Sequence, residues 1–343
     1  MLMIKRLPEK VHCDFPGPSA GIKLSHPFRQ CSNLPPQMRV EIKKLSGPRS
    51  RPFLTQLLVA WIIILSAIAL ACHFQAWWMT VLAILIVASR QNVLGLLVHD
   101  QAHKLGLRGE MGDKFTNLFA AYPILVLTVE NYAKVHLAHH KYYFTDKDPD
   151  HLRKSGNEWQ VPKSKIELFR LFARDLSGLS TYKLIRGKTT SLNSEEFGRT
   201  TPKLMRPIFF LTIISVLTFF HLWPIFLLYW LLPGLTIFQL IVRWGALTEH
   251  IYNTPGMKVE ENSPLIIPTW INRLLLPNLN FSYHPYHHWH PYVSFSNLPK
   301  VHSLYLKCGL VDEERLFRGY RAFLKFILLK DHSTNNIPGI VSL

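Results

Sequence analysis

Cysteine is scarce and scattered in this chain. Its four residues, Cys13, Cys31, Cys72 and Cys308, contain no Cys-x-x-Cys pair. That excludes a zinc ribbon and offers no disulfide framework, and it fits a reducing compartment. Any metal site must therefore rest on other side chains. Acidic residues are also few, 22 against 39 lysines and arginines, which gives a formal net charge of +17. The first residues carry charge but no apolar core, so no signal peptide is read there. His26-Pro27 is not followed by Gly-Gly, which rules out a fused haem motif of the cytochrome b5 type.

What is present is unevenly distributed. Hydrophobic residues make up 48% of the 343, and they collect in two blocks, roughly 52–98 and 207–242. About 20 apolar residues span a bilayer as a helix. The blocks divide at two short polar or aromatic turns into four spans, about 53–74, 77–98, 207–222 and 224–243. Residues 115–129 and 264–279 are apolar but interrupted by Pro123, Pro268 and Pro277, and read as interfacial or re-entrant segments. The expected fold is an all-α membrane protein, with about four transmembrane helices and a cytosolic helical cap.

The turns near Gln75 and Leu222 lack lysine and arginine, whereas every basic cluster lies at the opposite ends of the spans. The positive-inside bias then places both termini and the cap in the cytosol. A nucleic-acid partner is excluded in favour of a bilayer, because the apolar blocks demand one. The basic surface suits anionic lipid, or an acidic electron-transfer partner. Residues 1–51 read as a basic, proline-rich cytosolic tail in which His12 and His26 are surface residues. Residues 52–305 form the membrane domain, within which 151–206 reads as a polar cytosolic linker with helix-like pieces around 163–174, and 106–113 as a loop. Residues 306–343 form a second basic tail, partly helical around 313–330.

Histidine is the conspicuous residue. His99 and His103 stand four apart, His136, His139 and His140 form a His-x-x-His-His array, and His284, His287 and His288 repeat it. Residues at i, i+3 and i+4 of a helix share a face, so each array can aim its nitrogens at one point. His99 lies nine residues beyond Arg90, about 14 Å further along a helix, so the second span carries its histidines out of the bilayer. His250, seven residues beyond Arg243, mirrors this arrangement. One metal rarely takes more than six ligands, so these nine nitrogens imply two metals. Spacing does not choose iron over zinc. Asp100, Asp146, Asp148 and Asp150 are candidates to hold the outer N–H groups of ligands. Asn280 is a candidate for a water or metal contact or for a cap. His290 and His302 read as structural or supporting residues. Tyr142, Tyr143, Tyr283 and Tyr286 are aromatic neighbours of the arrays.

The three arrays resemble the histidine boxes of the membrane fatty acid desaturase and hydroxylase superfamily. The surroundings agree: His-Asp-Gln-Ala-His at 99–103, Asp148-Pro149-Asp150 after the second box, Thr248-Glu249-His250 after the last span, and Asn297-Leu298-Pro299 after the third box. The resemblance covers about 52–305. It implies a non-haem di-iron centre held by His99, His103, His136, His139, His140, His250, His284, His287 and His288. It also implies O2 as co-substrate and electrons from a ferredoxin, or from cytochrome b5 with its reductase. The activity it implies is insertion of a double bond into the acyl chain of a lipid. Hydroxylation or ketolation of a lipid or carotenoid at the same centre is the alternative. A metal transporter would need ionisable groups within the spans, which are nearly free of them except at their ends.

Overall fold

The computed structural model describes residues 34–124, 128–186, 201–253, 255–311 and 316–328. His12, His26, Cys13 and Cys31 lie outside the described residues, as do most of the N-terminal tail and the end of the C-terminal one.

The chain enters through α1 (Pro36–Lys44) and rises through α2 (Ser50–Phe74), 25 residues or about 37 Å. Gln75 ends α2 in the left-handed conformation, φ 52°, and α3 (Trp77–Ala102) returns alongside it. Phe53, Leu57, Ala60, Ile64 and Ala71 form one buried stripe of α2 at helical spacing. The remaining apolar side chains, such as Leu58, Ile62 and Leu65, face outward, as in a lipid-facing helix. Burial on α3 changes along its length. Its first turns are largely exposed, whereas nearly every position from Val87 to Ala102 is buried or half-buried. The histidine end of α3 is thus wrapped by protein.

α4 (Gly109–Thr116) passes through a π-helical turn, Asn117–Ala121, where a loop is expected over its first residues. The Asn117 side chain accepts the Val129 N–H at 2.8 Å and donates to Glu130 Oε2 at 3.0 Å. It thereby fixes the start of α5 (Val129–Lys141), which Thr128 caps through Asn131 N–H. α6 (Pro149–Arg153) follows, then α7 (Lys165–Leu176) and α8 (Leu179–Arg186). The helix expected around 163–174 is present as α7, and it is packed rather than free, because its Asp175 forms a buried ion pair with Arg243.

α9 (Met205–Phe219) is apolar but only 15 residues long, about 22 Å, which falls short of an about 30 Å hydrocarbon layer on its own. α10 (Trp223–Phe226), a π-helical turn, α11 (Leu232–Leu235) and α12 (Ile237–Glu249) run as one long element, Trp223–Glu249. It is the third helix long and apolar enough to cross a membrane among the described residues, with α2 and α3. α13 (Val259–Asn262), α14 (Trp270–Leu275), α15 (His284–Trp289), α16 (Leu298–Lys307) and α17 (Tyr320–Leu328) complete the α-helices among the described residues. β1 (Ile266–Ile267) pairs in parallel with β2 (Phe317–Arg318).

Both tails contribute packed structure. Met38 and Ile42 of α1 are buried in the largest core cluster with Phe53, Leu97, Tyr286 and Tyr305. Burial of each such side chain stabilises by about 1.5–3 kcal/mol as an upper bound. Asn297 Nδ2 donates to Leu45 O at 2.9 Å, and Gly47 N–H donates to Tyr292 O at 2.8 Å. Arg49 N–H and Ser50 Oγ donate to Leu105 O and Gly106 O. This strap ties the loop after the first histidine array to the segment after the third. At the other end, Phe323, Phe326 and Ile327 of α17 pack around Trp244 of α12. The apolar stripes of α1 and α17 are too short to announce core helices, and only their tertiary partners make them so.

Candidate metal centre

Four elements deliver the histidines. His99 sits in the last turn of α3 and His103 is its C-cap; His136, His139 and His140 share a face of α5. His284, His287 and His288 occupy α15, whose first turn holds Pro285. His250 ends α12 in an extended conformation, φ −144° and ψ 148°, so its ring turns back toward the others.

The arrays do not each make their own site. His99, His103, His136 and His287 bring one ring nitrogen apiece within 4.8 Å of one another, and His139, His250 and His288 form a second such group. His140 joins the first, with Nε2 3.1 Å from His136 Nε2 and 3.1 Å from His287 Nε2. His284 joins the second, with Nε2 3.0 Å from His250 Nε2 and 3.1 Å from His288 Nε2. Each group thus draws on two or three arrays, and all nine histidines named from sequence stand within them.

The chemistry of this donor set fits two metals. A neutral imidazole has one lone pair and one N–H, so rings whose Nε2 atoms face each other at about 3 Å cannot all be satisfied by mutual hydrogen bonds. The Nδ1 atoms of His99, His284 and His287 are buried without a hydrogen-bond partner. Burial, and then repulsion from neighbouring imidazoles, holds His136, His140, His284, His287 and His288 well below the ordinary histidine pKa. They are therefore neutral at physiological pH, the form that binds metal.

Around these rings lies a layer of orienting groups. His139 Nδ1 meets Asp148 Oδ2 at 2.8 Å. Asp148 also accepts the N–H groups of Phe144, Asp150 and His151 at 2.8, 2.9 and 3.2 Å. His250 Nδ1 lies 3.2 Å from Tyr143 Oη, and Tyr143 donates to Asn262 Oδ1. That order gives His250 an Nδ1–H and turns its Nε2 lone pair inward. Tyr132 stacks on His136, with centroids 5.4 Å apart.

The other sequence candidates are placed elsewhere. Asp100 accepts Phe295 N–H and Ser294 Oγ–H at 3.2 and 3.3 Å, tying α3 to the segment after the third array. Asp150 binds Arg153 and Lys154 at 2.6 and 2.7 Å. Burial would raise its pKa, but those two cations hold it well below the ordinary carboxylate range. Asp146 is exposed. Asn280 caps nothing with its side chain: it accepts from Arg273 at 2.6 Å and donates to Phe295 O at 3.2 Å. His290 pairs with Tyr305 at 3.0 Å and His302 with Tyr286 at 2.9 Å. Lys141 Nζ lies over the ring of Tyr142, and Tyr283 packs on His302. Sequence reading missed Tyr132, although its place four residues before His136 on one helix could have shown it. It also missed Asn262, for which no local signal exists.

Helices long and apolar enough to cross a membrane, ending in two interleaved clusters of imidazole able to hold metal, point to a membrane protein with a metal site. The sequence profile described as fatty acid desaturase matches residues 75–313, a stretch that includes all nine histidines. The chain belongs to the fatty acid desaturase family. It is also 26% identical over 256 residues to the dihydrorhizobitoxine desaturase of Bradyrhizobium elkanii, covering 70% of this chain and 72% of that protein. Both likenesses make it a desaturase-type oxidoreductase.

Proposed function

We propose that the protein is an O2-dependent desaturase that introduces a double bond into the acyl chain of a lipid at a di-iron centre. The observation that carries this is the convergence of nine imidazoles into two adjoining groups at the ends of apolar helices. His99, His103, His136, His140 and His287 would hold one iron, and His139, His250, His284 and His288 the other. When bound, the pair would supply activation of O2, which leaves as water with two electrons, two protons and two hydrogens from adjacent carbons.

The chain's own residues prepare that site. Nine neutral rings offer lone pairs without adding charge, so the centre keeps the full positive charge of its metals. Asp148 and Tyr143 fix which nitrogen of His139 and His250 points inward. Phe281 packs edge-on against His99 at 4.3 Å and Phe144 lies tilted against His250 at 5.5 Å, which helps to exclude water from the rings. The electron donor on this reading is a ferredoxin, or cytochrome b5 with its reductase, and the basic face of the cap suits an acidic partner.

The membrane reading extends to topology. α2 and α3, and α9 with the element that begins at Trp223, form two hairpins whose tight turns lie opposite the histidines. On this reading α9 crosses together with residues beside it, giving four spans, with the histidines and both termini in the cytosol. Desaturation is preferred to hydroxylation because the named relative is a desaturase.

The deciding experiment is metal analysis of purified protein combined with lipid profiling of expressing cells. About two irons per chain and new unsaturated acyl chains are expected. Two irons with a hydroxylated or keto lipid would replace desaturation by the alternative. Stoichiometric zinc in active protein, without oxygen consumption, would end the di-iron reading.

A further inference from the structure

α7 presents three kinds of face. Leu168 and Phe172 turn inward to the cluster around Trp244, and Asp175 turns inward to Arg243. Glu167 and Arg170 form an exposed charged arc. A third arc is exposed and wholly apolar. Ile166, Phe169, Ala173 and Leu176 follow at spacings of three, four and three, which is one stripe of a helix, and Phe169 is 71% exposed. A helix in water on that side would carry polar residues there. α14 has the same character, with Trp270 73% exposed and Leu274 and Leu275 exposed beside it.

Two independent contacts set the depth of these helices. Thr181, in α8, donates to the carbonyl of Leu235 at 2.8 Å. Leu235 is twelve residues into the long element that begins at Trp223, about 18 Å from its start. Beyond α14, the carbonyl of Pro277 accepts from Asn92 Nδ2 at 3.2 Å. Asn92 is fifteen residues into α3, about 22 Å from its start. Measured from the ends remote from the histidines, both contacts fall short of the about 30 Å thickness of a hydrocarbon layer. α8 and the end of α14 are therefore held within about 4 Å of one level, about 8–12 Å inside the histidine-side boundary of that layer. The exposed Lys165, Arg170, Lys183 and Arg273 stand beside the apolar surfaces.

We propose that α7–α8 and α14 form an interfacial platform seated in the lipid leaflet on the histidine side. Their apolar faces lie among the upper acyl segments, and the flanking lysines and arginines lie at anionic phospholipid headgroups. The residues from Lys165 to Arg186 are on this view membrane-bound rather than a linker in water. The inference rests on the reading that α2, α3 and the Trp223–Glu249 element cross a bilayer.

The test uses the full chain, with its native cysteines replaced by alanine, in nanodiscs of phosphatidylcholine and phosphatidylglycerol with brominated acyl chains. A fluorescent label is attached in turn to F169C, L274C, R170C and L58C, the last on the outward face of α2. F169C and L274C are expected to lose about half their emission, as L58C does, while R170C keeps most of its own. Quenching of L58C, with F169C and L274C no more quenched than R170C, would overturn the platform and leave the spans standing. Failure to quench L58C would remove the membrane reading itself. Shielding of F169C without bromine quenching, in particles holding two chains, would show that a second copy covers the stripe and would also overturn it.

Discussion

Asp148 lies nine residues beyond His139, and its Oδ2 meets the outer ring nitrogen of that histidine at 2.8 Å. The carboxylate is fully buried and accepts four hydrogen bonds in all. It both orients a proposed ligand and closes the turn that leads from α5 into α6. D148N keeps the shape but presents an amide N–H to a donor. It should weaken metal binding by about 10–100-fold, read by chelator competition on purified protein. D148A should also lower the melting temperature, because each orphaned buried N–H costs about 1–3 kcal/mol.

Tyr143 acts on one group of histidines and not the other. Y143F removes the hydroxyl that links His250 to Asn262. Metal held by His139, His250, His284 and His288 should be released at about tenfold lower chelator concentration. Metal held by the His99 group should be unchanged. Two release steps in Y143F, against a narrower range in the parent protein, would show the division.

The buried histidines make the metal-free protein sensitive to acid. His136, His140, His284, His287 and His288 have folded-state pKa values well below 6.5, the ordinary value their unfolded forms keep. Below about pH 6.5 the unfolded chain takes up protons that the folded chain refuses, so stability falls as pH falls. Above that pH both states are neutral and these groups contribute no slope. The melting temperature of apo protein in detergent should therefore be flat with respect to these groups from pH 7 to 8 and drop from pH 6.5 downward. Bound metal should raise the whole curve and steepen its acid side, because protons compete with metal for the same nitrogens.

Asp175 and Arg243 form a two-point ion pair, 2.5 and 3.0 Å, that locks α7 to α12. Both side chains are buried. D175A leaves the Arg243 charge uncompensated and should cost about 3–5 kcal/mol. The double variant D175A/R243L removes the charge as well and should recover most of that loss, measured by thermal unfolding in detergent.

The histidines were legible in the sequence because their spacing is local. An i, i+3, i+4 pattern needs only a helix to bring the nitrogens together. Their division into two groups was not legible, since His287 joins His99 and His103 while His288, one residue on, joins His139 and His250. That depends on how α3, α5 and α15 cross. The Asp148 contact spans nine residues and follows from a turn, so proximity in the chain signals it. The Tyr143–Asn262 contact spans 119 residues and signals nothing until the fold is known. The same holds for α1 and α17, whose short apolar stripes find partners far along the chain.

The strap across the site also sets an order on the making of the protein. The carbonyl of Leu45 waits for the side chain of Asn297, 252 residues later. At about 5–20 residues per second of synthesis, that wait is about 13–50 s. During it, the hairpin of α2 and α3 can enter the membrane with His99 and His103 already made. Met38 and Ile42 still lack the tyrosines of α15 and α16 that they will pack against. The ribosome must therefore pass residue 297 before α1 can settle. A chain stalled before residue 297 would carry most of its histidines with the clasp over them still undone.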